Sequence, residues 1–129
     1  MNMLWLKFDK NRYMEERYMN MKVIKKEDAR VYLDGPEICR EYIVTPKITF
    51  GSSTLHPGQT GGIDPGHPEG HEIFYVSRGE ILMHNTATDE FYELHEGDTI
   101  LVYEGEPHEL TNIGTDMAVI TWSCAPKID

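Results

Sequence analysis

The chain has 129 residues, enough for one domain with a real core and too few for two of ordinary size. Apolar residues make up 40% and charged residues 26%, and no apolar run reaches the length of a membrane-spanning helix. A net charge of −10 without a basic stripe argues against nucleic acid and anionic lipid as partners, and against a highly anionic substrate unless Lys47 or Arg78 offsets it.

The first twenty residues, MNMLWLKFDKNRYMEERYMN, carry four methionines at helix-compatible spacing and no β alternation. Lys7 interrupts their apolar part and no small-residue cleavage site follows, so they make a poor secretory signal, and a cytoplasmic location is expected. They read as an N-terminal extension, residues 1–20, either a short amphipathic arm or, the favoured expectation, a stretch upstream of the native start, since EERYMNM is compatible with a ribosome-binding tract ahead of Met19 or Met21. A single domain is expected over residues 21–129. VIKKEDARVYLDGPE contributes one strand and a turn. From Ile38 onward, β-branched and aromatic segments follow at short intervals: EICREYIV, ITFGSSTL, EIFYVSR, EILMHN, EFYEL, TILVY, HELTN and MAVITWS. NTATD, HEGD, EGEP and NIGTD supply turns between them. The pattern predicts an all-β sandwich or barrel with helix as a minor component. Cys39 and Cys124 are isolated thiols without CxxC spacing, which predicts neither a disulfide framework nor a zinc-thiolate site.

Two segments carry the chemistry. In GHPEGHEIFYVSRGE, Pro68 and Gly70 separate His67 from His71 and oppose the helix that a metalloprotease-type histidine pair needs. Downstream, GDTILVYEGEPHELTNIG places His108 and Asn112 on a strand after a turn holding Gly105 and Pro107. Together they resemble the two-motif signature of the cupin superfamily, G-x5-H-x-H-x3,4-E-x6-G followed by G-x5-P-x-G-x2-H-x3-N, over residues 48–125. The second motif matches at Gly97, Gly105, His108 and Asn112, with Tyr103 in the proline position. In the first, Glu72 and Gly79 have the required spacing and His67 takes the second histidine position, while Pro65 stands where the first histidine belongs. Alternatively, His67 fills the first position and Glu69 the second.

The resemblance implies a double-stranded β-helix, a jelly-roll barrel, with a metal held by His67, Glu72 and His108. His71 is expected to repair the missing ligand if a bulge at the strand entry turns it inward. Regular alternation, which puts Glu72, Phe74 and Val76 on one face, would turn it outward. Imidazoles and a carboxylate without thiolate suit divalent Mn, Fe, Ni, Co or Zn. Gln59, Thr60, Tyr75 and Tyr103 are candidate substrate contacts at the mouth, and Phe74, Val76, Leu110, Ile120 and Trp122 are expected to fill the barrel. TLHPGQTGG and PHELTNIG are similar to segments of cupin-type sugar-phosphate isomerases, which implies a small oxygen-rich substrate and Glu72 as catalytic acid or base. A carboxylate beside a cation is a weak base, so a hydride shift is equally compatible. An iron dioxygenase and a non-catalytic binding or sensor module stand as alternatives. Small cupins pair through edge strands, so a homodimer is expected, with EICREYIV as the edge.

Overall fold

The computed structural model describes residues 21–126; the expected extension at residues 1–20 lies outside them. After a 3-10 turn at Lys26–Asp28, nine strands follow: β1 (Arg30–Asp34), β2 (Glu37–Val44), β3 (Thr49–Leu55), β4 (His71–Arg78), β5 (Glu80–Asn85), β6 (Glu90–His95), β7 (Thr99–Val102), β8 (His108–Asn112) and β9 (Ala118–Ala125). All are paired antiparallel. A six-stranded sheet runs β1-β2-β3-β9-β4-β7 and a three-stranded sheet runs β6-β5-β8. Alternation produces the layers: β9 buries Ala118, Ile120, Trp122 and Cys124 on one face, and β4 buries Glu72, Phe74 and Val76. Phe74, Val76, Ile120 and Trp122 of the large sheet pack with Ile81, Met83, Leu94 and Leu110 of the small one. Each such side chain, fully buried, stabilises the fold by roughly 1.5–3 kcal/mol. The result is the jelly-roll barrel that the motifs imply.

Trp122 sits across Gly51 on the neighbouring strand. A Cβ there would collide with the indole and with the Arg40 carbonyl, so glycine makes the space for the largest side chain of the core. The indole Nε1–H donates to Ser53 Oγ at 3.0 Å.

EICREYIV is β2, but it is not an edge. β1 pairs along its outer side from Arg30↔Glu41 to Asp34↔Glu37, and β3 pairs along the other. RVYLD is short but alternates, with Val31 and Leu33 exposed and Tyr32 and Asp34 facing inward, and that suffices to extend the sheet by one strand. Among the described residues, the free edge at that end is β1.

The small sheet is extended differently. Beyond β8 runs the segment 58–64, held by Gly58 N–H to Asn112 O (3.0 Å), Asn112 N–H to Gln59 O (2.9 Å), Gly61 N–H to Leu110 O (2.9 Å) and a reciprocal Asp64–His108 pair. On its other side, Gly62 N–H donates to Asp34 O at 3.2 Å. The GQTGG loop therefore spans from β8 to the end of β1 and closes the barrel wall between the two sheets.

Candidate metal centre

Glu72 and His108 reach the lumen because inward positions of β4 and β8 bring them there. Both are buried, as is His67 in the loop before β4. His67 Nε2 lies 3.1 Å from Glu72 Oε1 and 3.7 Å from Asp64 Oδ2. His108 Nε2 lies 3.6 Å from Glu72 Oε1 and 3.8 Å from Asp64 Oδ2. Two imidazoles from distant segments thus converge on two carboxylates. Asp64, His67 and Glu72 alone bring three potential ligand atoms within 4.8 Å of one another.

The orientation of His108 is informative. Its Nδ1–H donates to the Glu106 carbonyl at 2.9 Å, which in the neutral imidazole leaves Nε2 as a lone pair. That Nε2 is buried without a hydrogen-bond partner, while two carboxylate oxygens face it beyond hydrogen-bonding distance. A buried acceptor facing other acceptors is suited to a cation between them, and a backbone carbonyl behind the ring is the usual device that fixes a metal-binding tautomer. Phe74 holds the ring edge-on at 5.2 Å between centroids. The hydrogen bond to Glu72 raises the His67 pKa, burial opposes the shift, and the charges of Glu72 and Asp64 add to it. The same carboxylates would attract a metal cation.

Asp64 is the residue that the motif reading missed. It reaches His108 through the backbone pairing of the 58–64 segment with β8, and its Oδ1 accepts the Gly66 N–H at 2.8 Å, leaving Oδ2 for the cluster. Gly66 has φ of 89°, where a side chain is disfavoured, and a Cβ there would collide with the 105–106 backbone at 2.8 Å, so the DPGH turn depends on glycine. Asp64 lies one position before Pro65, where the motif has its first histidine.

His71 does not join them, which corrects the expected repair. The register at the start of β4 is regular, with His71↔Ala125 and Glu72↔Cys124, and the strand's irregularity falls instead between Val76 and Arg78. Without a bulge at the entry His71 points outward, where its Nε2 pairs with Glu104 at 2.8 Å and its ring meets Tyr103 edge-on. The proposed substrate contacts are also dispersed. Tyr75 is outward on β4 and 45% exposed. Gln59 is engaged in its own turn, its Oε1 accepting the His56 N–H at 2.9 Å. Thr60 shares a hydroxyl hydrogen bond with Thr111 at 2.8 Å. Tyr103 borders a second hollow of about 230 Å³ that reaches the far side of His108. Asn112 of the second motif is structural: its Nδ2 donates to Leu55 O and Asp116 O, and its Oδ1 accepts Gly114 N–H.

On the cluster's near side lies a cavity of about 70 Å³ that includes Glu72, His108, Asp64, Phe74 and Trp122 in its lining. The rest of its wall comes from the β1–β2 hairpin and its neighbours, with Tyr32, Asp34, Glu37, Cys39 and Ser53 among them. No lysine or arginine of the described residues lines it, and neither Lys47 nor Arg78 is near.

The sequence matches the Cupin_2 family model, a cupin domain, over residues 51–124, more than half of the chain. The chain belongs to the cupin family. Its fold is shared with a double-stranded β-helix domain protein from Klebsiella pneumoniae subsp. pneumoniae MGH 78578, at TM-score 0.70 and 21% identity, covering 84% of this chain and 92% of that one. A predicted oxalate decarboxylase from Thermotoga maritima gives TM-score 0.69 at 19% identity over 81% and 99% of the two chains. KdgF from Halomonas sp. gives 0.67 at 15% over 82% and 95%. At these identities the likeness is one of fold. No curated protein matches the chain significantly. Among the described residues, no helix is long and apolar enough to cross a membrane.

Proposed function

We propose that the protein is a metal-dependent cupin enzyme acting on a small oxygen-rich molecule in an isomerase-like reaction, with Asp64, His67, Glu72 and His108 as the ligands. The observation that carries this reading is the buried, unpartnered His108 Nε2 directed at two carboxylates. Two imidazoles and two carboxylates fit Mn, Fe, Co, Ni or Zn in the divalent state. When bound, such an ion supplies Lewis-acid polarisation of a carbonyl and binds neighbouring oxygens. The chain's own part is to exclude water, orient the substrate and move a proton between adjacent carbons. Glu72 is the proposed acid or base, buried at the cavity wall. The carboxylate-lined cavity without a cationic side chain favours an unphosphorylated substrate over a sugar phosphate. A homodimer of this chain would pair through β1 rather than β2, since among the described residues β1 holds the free edge and exposes Val31 and Leu33.

The test is elemental analysis of the purified full chain, followed by incubation of metal-loaded protein with small aldoses and ketoses in D2O. Interconversion with deuterium at the carbon beside the carbonyl, abolished in Glu72→Gln, supports proton transfer; interconversion without deuterium assigns a hydride shift. Oxygen consumption by iron-loaded protein would replace the isomerase reading by a dioxygenase. Absence of any retained metal would remove both.

A further inference from the structure

The two sheets turn different outer faces to solvent. On the small sheet the outward row of β5, β6 and β8 carries Glu80, Glu93 and Glu109, each paired with His84 or His95. On the large sheet all four carboxylates of the strands, Asp34, Glu37, Glu41 and Glu72, stand at inward positions. Its outward strand positions therefore hold no acidic residue, in a chain with 22 of them and a net charge of −10. Arg40 on β2 and Arg78 at the end of β4 are the arginines that these strands turn outward, and His71 is tied to Glu104 at the rim.

Apolar side chains fill the places that charge avoids. Val31, Leu33, Phe50, Ile73, Tyr75 and Leu101 all point outward and are each between 36% and 69% exposed. Leu33 is opposite Ile38, Ile43 opposite Phe50, and Ile73 opposite Leu101, so apolar pairs recur from one edge of the sheet to the other. Between them, β3 and β9 present short hydroxyl side chains at Ser52, Thr121 and Ser123. With strands about 4.8 Å apart and rising about 3.3 Å per residue, the face measures roughly 25 Å by 20–25 Å, or about 500–600 Å² in projection. Two such faces in contact would bury at least about 1,000–1,200 Å², and side chains standing off the sheet raise that into the range of about 1,200–2,000 Å² that a specific interface needs.

We infer that a second copy of this chain covers the outer face of the large sheet, sheet packed on sheet. Two chains of charge −10 repel wherever their acidic surfaces meet, and this face is where they approach without bringing carboxylates together. A twofold contact is self-complementary, so the same apolar surface serves both copies. The low row on β3 and β9 lets the sheets come close at the centre, with the larger side chains of β1, β4 and β7 packing around it. β1 enters as the rim of the face through Val31 and Leu33, and the contact runs from there across to β7, beyond pairing at the β1 edge. Nothing in it depends on the metal cluster, which lies on the inward side of the sheet.

Size-exclusion chromatography with light scattering on the full chain should give a dimer at micromolar concentration, with or without chelator. Ile73→Glu and Tyr75→Glu place a carboxylate on β4, four strands from β1, and each enters a twofold contact twice, so each should raise the dissociation constant by about a hundredfold or more. Phe91→Glu, at a half-exposed aromatic on the small sheet, should leave the dimer intact. Circular dichroism checks that the variants fold, and the parent protein supplies a measurement that needs no variant: hydroxyl-radical labelling of Ile73, Tyr75 and Leu101 should fall between nanomolar and micromolar protein. A monomer at micromolar concentration overturns the inference and leaves the face to residues 1–20 or to another protein. A dimer that survives both β4 substitutions overturns it in favour of the β1 edge, and labelling of the three residues that does not change with concentration overturns it as well.

Discussion

Replacing Asp64 by asparagine keeps the side chain's shape, and its Oδ1 can still accept the Gly66 N–H, while the charge facing His67 and His108 is lost. If Asp64 is a ligand, this weakens metal binding by at least the ten- to hundredfold typical even of residues that only support a ligand. With metal in excess, a loss of that size removes about 1.4–2.7 kcal/mol of linked stability. For a domain of roughly 110 residues each kcal/mol is worth about 4 to 5 °C, so the metal-dependent rise in Tm should shrink by about 6–12 °C. Calorimetric melting with and without chelator, paired with elemental analysis, gives the comparison. His71→Ala is the internal control: its imidazole is bound to Glu104 outside the barrel, so its metal-dependent rise should equal that of the parent. A variant at Asp64 that keeps full metal, alongside one at His71 that loses it, would refute the assignment of both residues.

Gly51→Ala forces a methyl against the Trp122 ring and a backbone carbonyl that cannot yield, so it should destabilise by about 1–3 kcal/mol in urea titration. Trp122→Phe removes the indole donor to Ser53 and part of the ring, and about 1–3 kcal/mol is the expected loss by the same measurement. Burial pushes the Cys39 thiol up to about 12 and that of Cys124 to about 11, so neither should react with a thiol reagent at neutral pH until the chain unfolds. Above about pH 9 the unfolded chain releases thiol protons that the folded chain retains, so the folded state binds more protons and stability falls as pH rises toward 11. Cys39→Ala/Cys124→Ala should lose less stability than the parent between pH 8 and pH 10, and an equal loss would show that the thiols contribute nothing.

The strands were legible because inward and outward residues alternate cleanly: EICREYIV, EILMHN and HELTN coincide with β2, β5 and β8. The outward direction of His71 was also contained in that alternation, and only an assumed bulge set it aside. What could not be read was anything fixed by backbone pairing at a distance. Asp64 looks like turn chemistry in IDPG, and its approach to His108 exists only because a loop lies along the free side of β8. Asp34 and Glu37 likewise flank Gly35–Pro36 and read as hairpin polarity. Their facing into the barrel follows from β1 continuing the sheet, which a five-residue strand signals weakly.

One loop controls both halves of the site. GQTGG and the residues after it hydrogen-bond to β8 on one side and to Asp34 O on the other, so the backbone that carries Asp64 to His108 also covers the Asp34 and Glu37 carboxylates. A ligand that displaced this loop to fit near Glu37 would also shift Asp64. Asn112, buried, ties the two ends of this frame together, its Nδ2 donating to Leu55 O ahead of the loop and its Oδ1 accepting Gly114 N–H after β8. Its place in the second motif, away from the cluster, has a physical reason: it fixes the frame in which the Asp64 carboxylate meets His108.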